Sequence, residues 1–89
     1  MNIQAEVSYY PLGRTDFNNC INKFCRIISN KELIAETNTM STVIIGDTSN
    51  VMHSLAEAIE AVAHQSKFVV VCKISNACPL EHEGGRRKL

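Results

Sequence analysis

The hydrophobic pattern of this chain switches between strand spacing and helix spacing. The order of those switches restricts the fold more than any single residue does. Ile3 to Gly13 alternates: Ile3, Ala5, Val7 and Tyr9 point one way, and Gln4, Glu6, Ser8 and Tyr10 the other. Pro11 and Gly13 then stop the strand, since proline cannot feed a ladder and glycine suits a turn. Phe17, Cys20, Ile21, Phe24, Cys25 and Ile28 recur at helical spacing and predict a helix over 16–29. Thr15 is the expected N-cap, Asp16 complements the helix dipole, and Asn30 and Lys31 end the segment.

Glu32 to Thr39 predicts a short strand whose far end is polar, hence an edge. A hairpin turn or bulge follows at Thr37 to Met40. Ser41 to Gly46 is richer in β-branched residues and predicts a firmer strand. Asp47 to Asn50 serves as turn and helix cap at once. Val51, Met52, Leu55, Ala58, Ile59, Val62 and Ala63 form a second helical stripe, to about Gln65. Phe68 to Ile74 is apolar on nearly both faces, the pattern of a strand that is central or has its second face covered. From Ser75 onward no period is left, and Pro79, Gly84 and Gly85 predict loop or disorder.

The order is therefore β-α-β-β-α-β, the split βαβ arrangement. It predicts an α+β, ferredoxin-like domain over 1–76, with a four-stranded antiparallel sheet, two helices on one face, and an irregular tail over 77–89. The crossover rule sets the first strand beside the third, and the fourth takes its other side. The second sheet face then carries Glu6, Ser8 and Tyr10 with valines and Lys73 from the fourth strand. An open face of this kind calls for a partner, and a homodimer packing sheet on sheet is the simplest cover.

Nine basic and nine acidic residues cancel, so no field draws the chain to nucleic acid or to a membrane. The absence of tryptophan weakens base stacking further. Four cysteines form no C-x-x-C pair, so no zinc site is expected. Cys20, Cys25 and Cys72 fall in apolar patterns as reduced, small hydrophobes. Free thiols, no signal peptide and no long apolar run suit a cytoplasmic protein. His53 and His64 lie too far apart on one helix to share an ion and are expected to face solvent. Cys78 and His82 are a weak metal pair in the tail. No spacing supports a Ser-His-Asp or Cys-His arrangement. Gly46-Asp-Thr-Ser at the second helix start offers free N–H groups to an anion.

Three stretches carry a resemblance. Ala-Glu-Val-Ser-Tyr-Tyr-Pro-Leu-Gly (5–13), Asn-Thr-Met-Ser-Thr-Val-Ile-Ile-Gly-Asp (38–47) and Val-Cys-Lys-Ile-Ser (71–75) resemble the small thiamine-binding, YkoF-like family, long catalogued as a domain of unknown function. The resemblance covers about residues 2–76. It implies a ferredoxin-like fold, homodimers that often pair into tetramers, and non-catalytic binding of thiamine or its hydroxymethylpyrimidine half, with no cofactor. It places the pocket near Ser41 and Thr42.

The residues read beside it as follows. Glu6 is a carboxylate able to accept from an aminopyrimidine or balance a thiazolium, or else to form an ion pair with Lys73 across the sheet or with a dimer partner. Ser8 reads a ring nitrogen or serves an interface. Tyr10 stacks on a flat ring or joins that interface. Met40 lines a pyrimidine slot or fills core. Ser41 and Thr42 offer small hydroxyls, or serve only the turn and strand. Two other classes compete with the binding reading. One is an oligomerisation or regulatory module without a ligand. The other, weakest, is a small enzyme using Glu6 or His53 as a base.

Overall fold

The computed structural model describes residues 1–13, 17–30, 32–38 and 40–77. The first strand, β1 (Asn2–Pro11), keeps the alternation of its sequence: Ile3, Ala5 and Val7 are buried, and Gln4, Glu6 and Ser8 between them are half-buried. Leu12 N–H donates to the Lys67 carbonyl just past the strand. Gly13 then adopts φ +68°, the left-handed region where a side chain is strained.

Helix α1 (Phe17–Ile28) turns Cys20, Phe24 and Ile28 inward, one above the other at four-residue spacing. The turn after it is tied by Asn30. Its Nδ2 donates to Ser54 Oγ on the second helix, and its Oδ1 accepts from the Glu32 N–H at 2.8 Å. Strand β2 (Ile34–Thr37) is short and exposed throughout, as its polar end predicts. Strand β3 (Thr42–Asp47) buries Thr42 and Ile44. Asp47 ends it and caps helix α2 (Thr48–Ala63), accepting from the Ser49 N–H at 3.2 Å. That helix buries Val51, Leu55, Ala58 and Val62. Strand β4 (Phe68–Ser75) closes the order.

The sheet runs β2-β3-β1-β4, with every pair antiparallel. The fold is therefore the expected α+β, ferredoxin-like one, with β1 central. The core lies between the sheet's Ile3, Ala5, Val7 and Ile44 and the helices' Phe24, Ile28, Val51, Leu55, Ala58 and Val62. Gly46 leaves room for Leu33, whose Cδ2 lies only 2.5 Å from where a Cβ would stand. Leu33 can thereby pack against the core from the β2 side.

Two details differ from the sequence pattern. The apolar run of β4 predicts a central strand or a covered second face. It forms the edge that the crossover rule assigns to it, and within this chain only its Phe68 and Val70 pack against the core. Val69, Val71 and Ile74 are each about half exposed. Cys72, expected as a small hydrophobe in an apolar pattern, is likewise exposed. The cause is geometric: Val69 and Val71 pair with Tyr10 and Ser8 on the open face, while Cys72 and Ile74, paired with the buried Val7 and Ala5, sit on the helix side in the far half of an edge strand, beyond the cover of the helices.

Cys20 and Cys25 are free thiols, the first buried and the second partly so. His53 and His64 both face solvent. Among the described residues no helix is long and apolar enough to cross a membrane, and no three metal-ligating side chains gather. The Thr15 cap, Asp16, Lys31, Thr39 and the Cys78–His82 pair lie outside the described residues.

Candidate functional site

Where β1 ends and the β2–β3 hairpin turns back, α1 stands off the sheet. A cleft of about 250 Å³ opens there. Val7 and Tyr9 come to it from β1, Ile21, Phe24 and Cys25 from α1, and Thr37, Asn38 and Met40 to Thr42 from the hairpin. The local sequence explains the gap. Thr37, Ser41 and Thr42 are small residues at the hairpin, where larger ones would fill the space below the helix. The hairpin itself is pinned by the Asn38 N–H donating to the Ser41 carbonyl at 2.7 Å.

One wall is aromatic. Tyr9 and Phe24 stack with centroids 4.4 Å apart and planes within 5°, and Phe68 tilts against Tyr9 at 5.8 Å. Such pairs gain energy beyond their burial and hold each ring in one plane, which gives the cleft a stiff flank.

The polar side is a row of neutral groups. Thr42, only 3% exposed, holds Oγ1 3.2 Å from Thr37 Oγ1 and 3.6 Å from Cys25 Sγ. A hydroxyl can donate once and accept twice, so this row can turn either face to a bound group. Met40, 75% exposed, stands at the rim as a flexible apolar flap.

Of the residues singled out from sequence, Tyr10, Met40, Ser41 and Thr42 line this cleft. Glu6 and Ser8 do not. They sit on the opposite sheet face, where β-ladder pairing sets Glu6 beside Val43 and Lys73, and Ser8 beside Val71. Glu6 is nonetheless joined to the cleft. Ser41 Oγ donates to Glu6 Oε2 at 2.9 Å, and Lys73 Nζ lies 3.5 Å from Glu6 Oε1. The ion-pair alternative for Glu6 is thus present, together with a link to Ser41.

Sequence reasoning missed Thr37 and Cys25. Each carried only a structural signal, Thr37 as a strand end and Cys25 as one more apolar position on a helix. Their common neighbour, Thr42, is distant in sequence from Cys25. Only the packing of α1 over the hairpin brings the three together.

Comparison with known proteins fits this architecture. The model of the YKOF-related family matches residues 2–81. No curated protein matches the chain. Among solved structures, a candidate thiamine biosynthesis/salvage protein from Thermotoga maritima is similar over 100% of this chain and 91% of its own, at 15% identity and a TM-score of 0.74. A Streptococcus pneumoniae protein is similar over 84% of this chain and 86% of its own, at 19% identity and a TM-score of 0.76. A hypothetical protein from Methanocaldococcus jannascii shares 29% identity over 83% of this chain and 76% of its own, with a TM-score of 0.69.

Proposed function

The chain belongs to the YkoF-related family, and from that premise we propose that it binds thiamine or its hydroxymethylpyrimidine half in the cleft under α1, without catalysing a reaction. The observation that carries this reading is the match of cleft to ring. A volume of about 250 Å³ falls below the roughly 300–1,000 Å³ typical of sites for drug-sized molecules. It suits one small flat ring and not two. The stacked Tyr9–Phe24 flank and Met40 supply apolar walls. Thr37, Thr42 and Cys25 supply neutral partners for ring nitrogens. The thiazole half of thiamine then lies toward the rim, near Tyr10. The fold shared with the Thermotoga maritima thiamine biosynthesis/salvage candidate supports the same ligand class.

Assembly belongs to the other face. Val69, Val71, Ile34 and Tyr10 are exposed, and β-ladder pairing puts Val69 beside Tyr10 and Val71 beside Ser8. A second copy laid on this face, as a homodimer or a pair of dimers, removes that apolar surface from water. Ser8 serves that interface in this reading.

Calorimetric titration with thiamine, hydroxymethylpyrimidine and the thiazole half tests the ligand. Thiamine and the pyrimidine half are expected to bind and the thiazole half alone is not. Thr42→Val should weaken binding at least about tenfold, ~1.4 kcal/mol. No heat from any of the three, at concentrations able to detect ~0.1 mM affinity (about 5.5 kcal/mol), would overturn the ligand and leave an oligomerisation module.

A further inference from the structure

Ser41 touches both sides of the sheet's chemistry. It lines the cleft, and its hydroxyl is spent on Glu6, across the 2.9 Å bond to Oε2. A serine hydroxyl has one proton to donate and two lone pairs to offer. A carboxylate only accepts, so the proton in this bond belongs to Ser41. Bonds to an ionised acceptor are roughly twice as strong as neutral ones, so the carboxylate fixes the hydroxyl rotor firmly. What Ser41 still has for a ligand is acceptor capacity. Lys73 Nζ lies 3.5 Å from the other carboxylate oxygen, so both oxygens of Glu6 are engaged on the open face.

We propose that Glu6 is a positioning residue for the cleft: by holding the Ser41 proton on the open sheet face, it makes Ser41 an obligate acceptor, so the site selects a pyrimidine that presents an exocyclic amino group there over the same ring bearing an oxo group. The inference rests on the ligand reading above and adds to it a determinant of specificity outside the cleft. The physical basis is asymmetric. An amino group at Ser41 gains a hydrogen bond. An oxo group there faces lone pairs with its own lone pairs and leaves two acceptors unsatisfied, the kind of mismatch that binding sites reject strongly.

The test compares hydroxymethylpyrimidine with its deaminated, oxo counterpart by calorimetry, on the intact oligomer. The wild type should prefer the amino ring by at least about tenfold. In Glu6→Gln the side chain keeps its shape, but its amide can donate to Ser41 and free the hydroxyl proton to point into the cleft. The preference should then collapse toward parity, mostly through a gain for the oxo ring. A role in stability alone would lower both affinities together and leave their ratio alone, which overturns the proposal. Ser41→Ala reads the same joint from the other side and stays informative if Glu6→Gln folds poorly: it should abolish the preference. Adding Glu6→Gln to Ser41→Ala should change the ratio no further. An unchanged ratio in Ser41→Ala also overturns the proposal. Binding of both rings by the wild type with a ratio near one sinks this inference alone. Binding of neither sinks the ligand reading and the inference with it.

Discussion

The two faces of the sheet are built from the same strands, yet they are held by different physics. On the covered face, β1 gives Ile3, Ala5 and Val7, all nearly inaccessible, and both helices press onto them. On the open face the same strand gives Gln4, Glu6 and Ser8, and the neighbouring strands give Val43, Val71 and Lys73. The first face is close-packed, so its energy depends on shape. The second is a mixed surface, so its energy within one chain depends on little beyond the β-ladder hydrogen bonds. Substitutions on the two faces should therefore differ by several kcal/mol even at neighbouring positions of one strand pair.

The sharpest way to break that comparison is Phe24→Ala. Phe24 is 1% exposed and stacks on Tyr9. Its removal deletes core volume and the rigid flank of the cleft, at a cost of about 3–5 kcal/mol. Urea unfolding should show this loss, and ligand affinity should fall with it. Val71→Ala, on the open face, should cost a single unassembled chain less than about 1 kcal/mol. If the second loss matched the first, the open face would already be packed, and the exposed character given to it here would be wrong.

Assembly sharpens the comparison from the other side. Val71→Glu should leave the core intact and shift the proposed homodimer toward the monomer by at least about tenfold, ~1.4 kcal/mol, because an unpaired carboxylate resists burial against a second copy. Sedimentation velocity over a concentration series reads the outcome. An unchanged assembly would move the interface off this face.

Asn30 sits between the two regimes. It is one residue joining α2, through Ser54, to the start of β2, through Glu32. Ser54 is fully buried, so Asn30→Ala strands its hydroxyl. The expected cost is about 1–3 kcal/mol, seen as a lower urea midpoint with an unchanged slope.

The extent to which the sequence already contained this picture follows the same division. Alternation in Ile3 to Tyr10 and the helical stripes through Phe24 and Leu55 specify the element order, and the crossover rule then leaves one strand order. The edge position of β2 was legible in its polar end. So was the exposure of Val71, on the open face with Ser8; the exposure of Cys72 and Ile74 was not. An apolar run states a preference for burial, but nothing in the run records how far the helices of the same chain reach along an edge strand. The cleft was legible only in part. Ser41 and Thr42 announced small hydroxyls near a turn. Cys25 and Thr37 could not be found, because a cleft is a gap between elements and no periodicity records it. Glu6 shows the limit most clearly. Strand alternation places its carboxylate on the face away from the cleft, and a contact with Ser41, 35 residues on, brings it back to the rim.

Lys73 carries the smallest expected effect and the finest test of the open face. Its ammonium lies 3.5 Å from Glu6, with the two side chains 78% and 44% exposed. A pair so open to water gains little Coulomb energy and loses side-chain entropy, so Lys73→Met should change stability by no more than about 0–1 kcal/mol. High salt should erase even that, since screening acts fully on exposed charges. Thermal unfolding at low and high salt measures both. The Ser41–Glu6 bond should persist in this variant, because its donor and acceptor are untouched. A loss of several kcal/mol on removing Lys73 would mean that the pair is buried by a second copy, where an abandoned carboxylate is costly. The same experiment on a dilute, monomeric sample would then return the small value, and the difference between the two would measure how far assembly turns the open face into a second core.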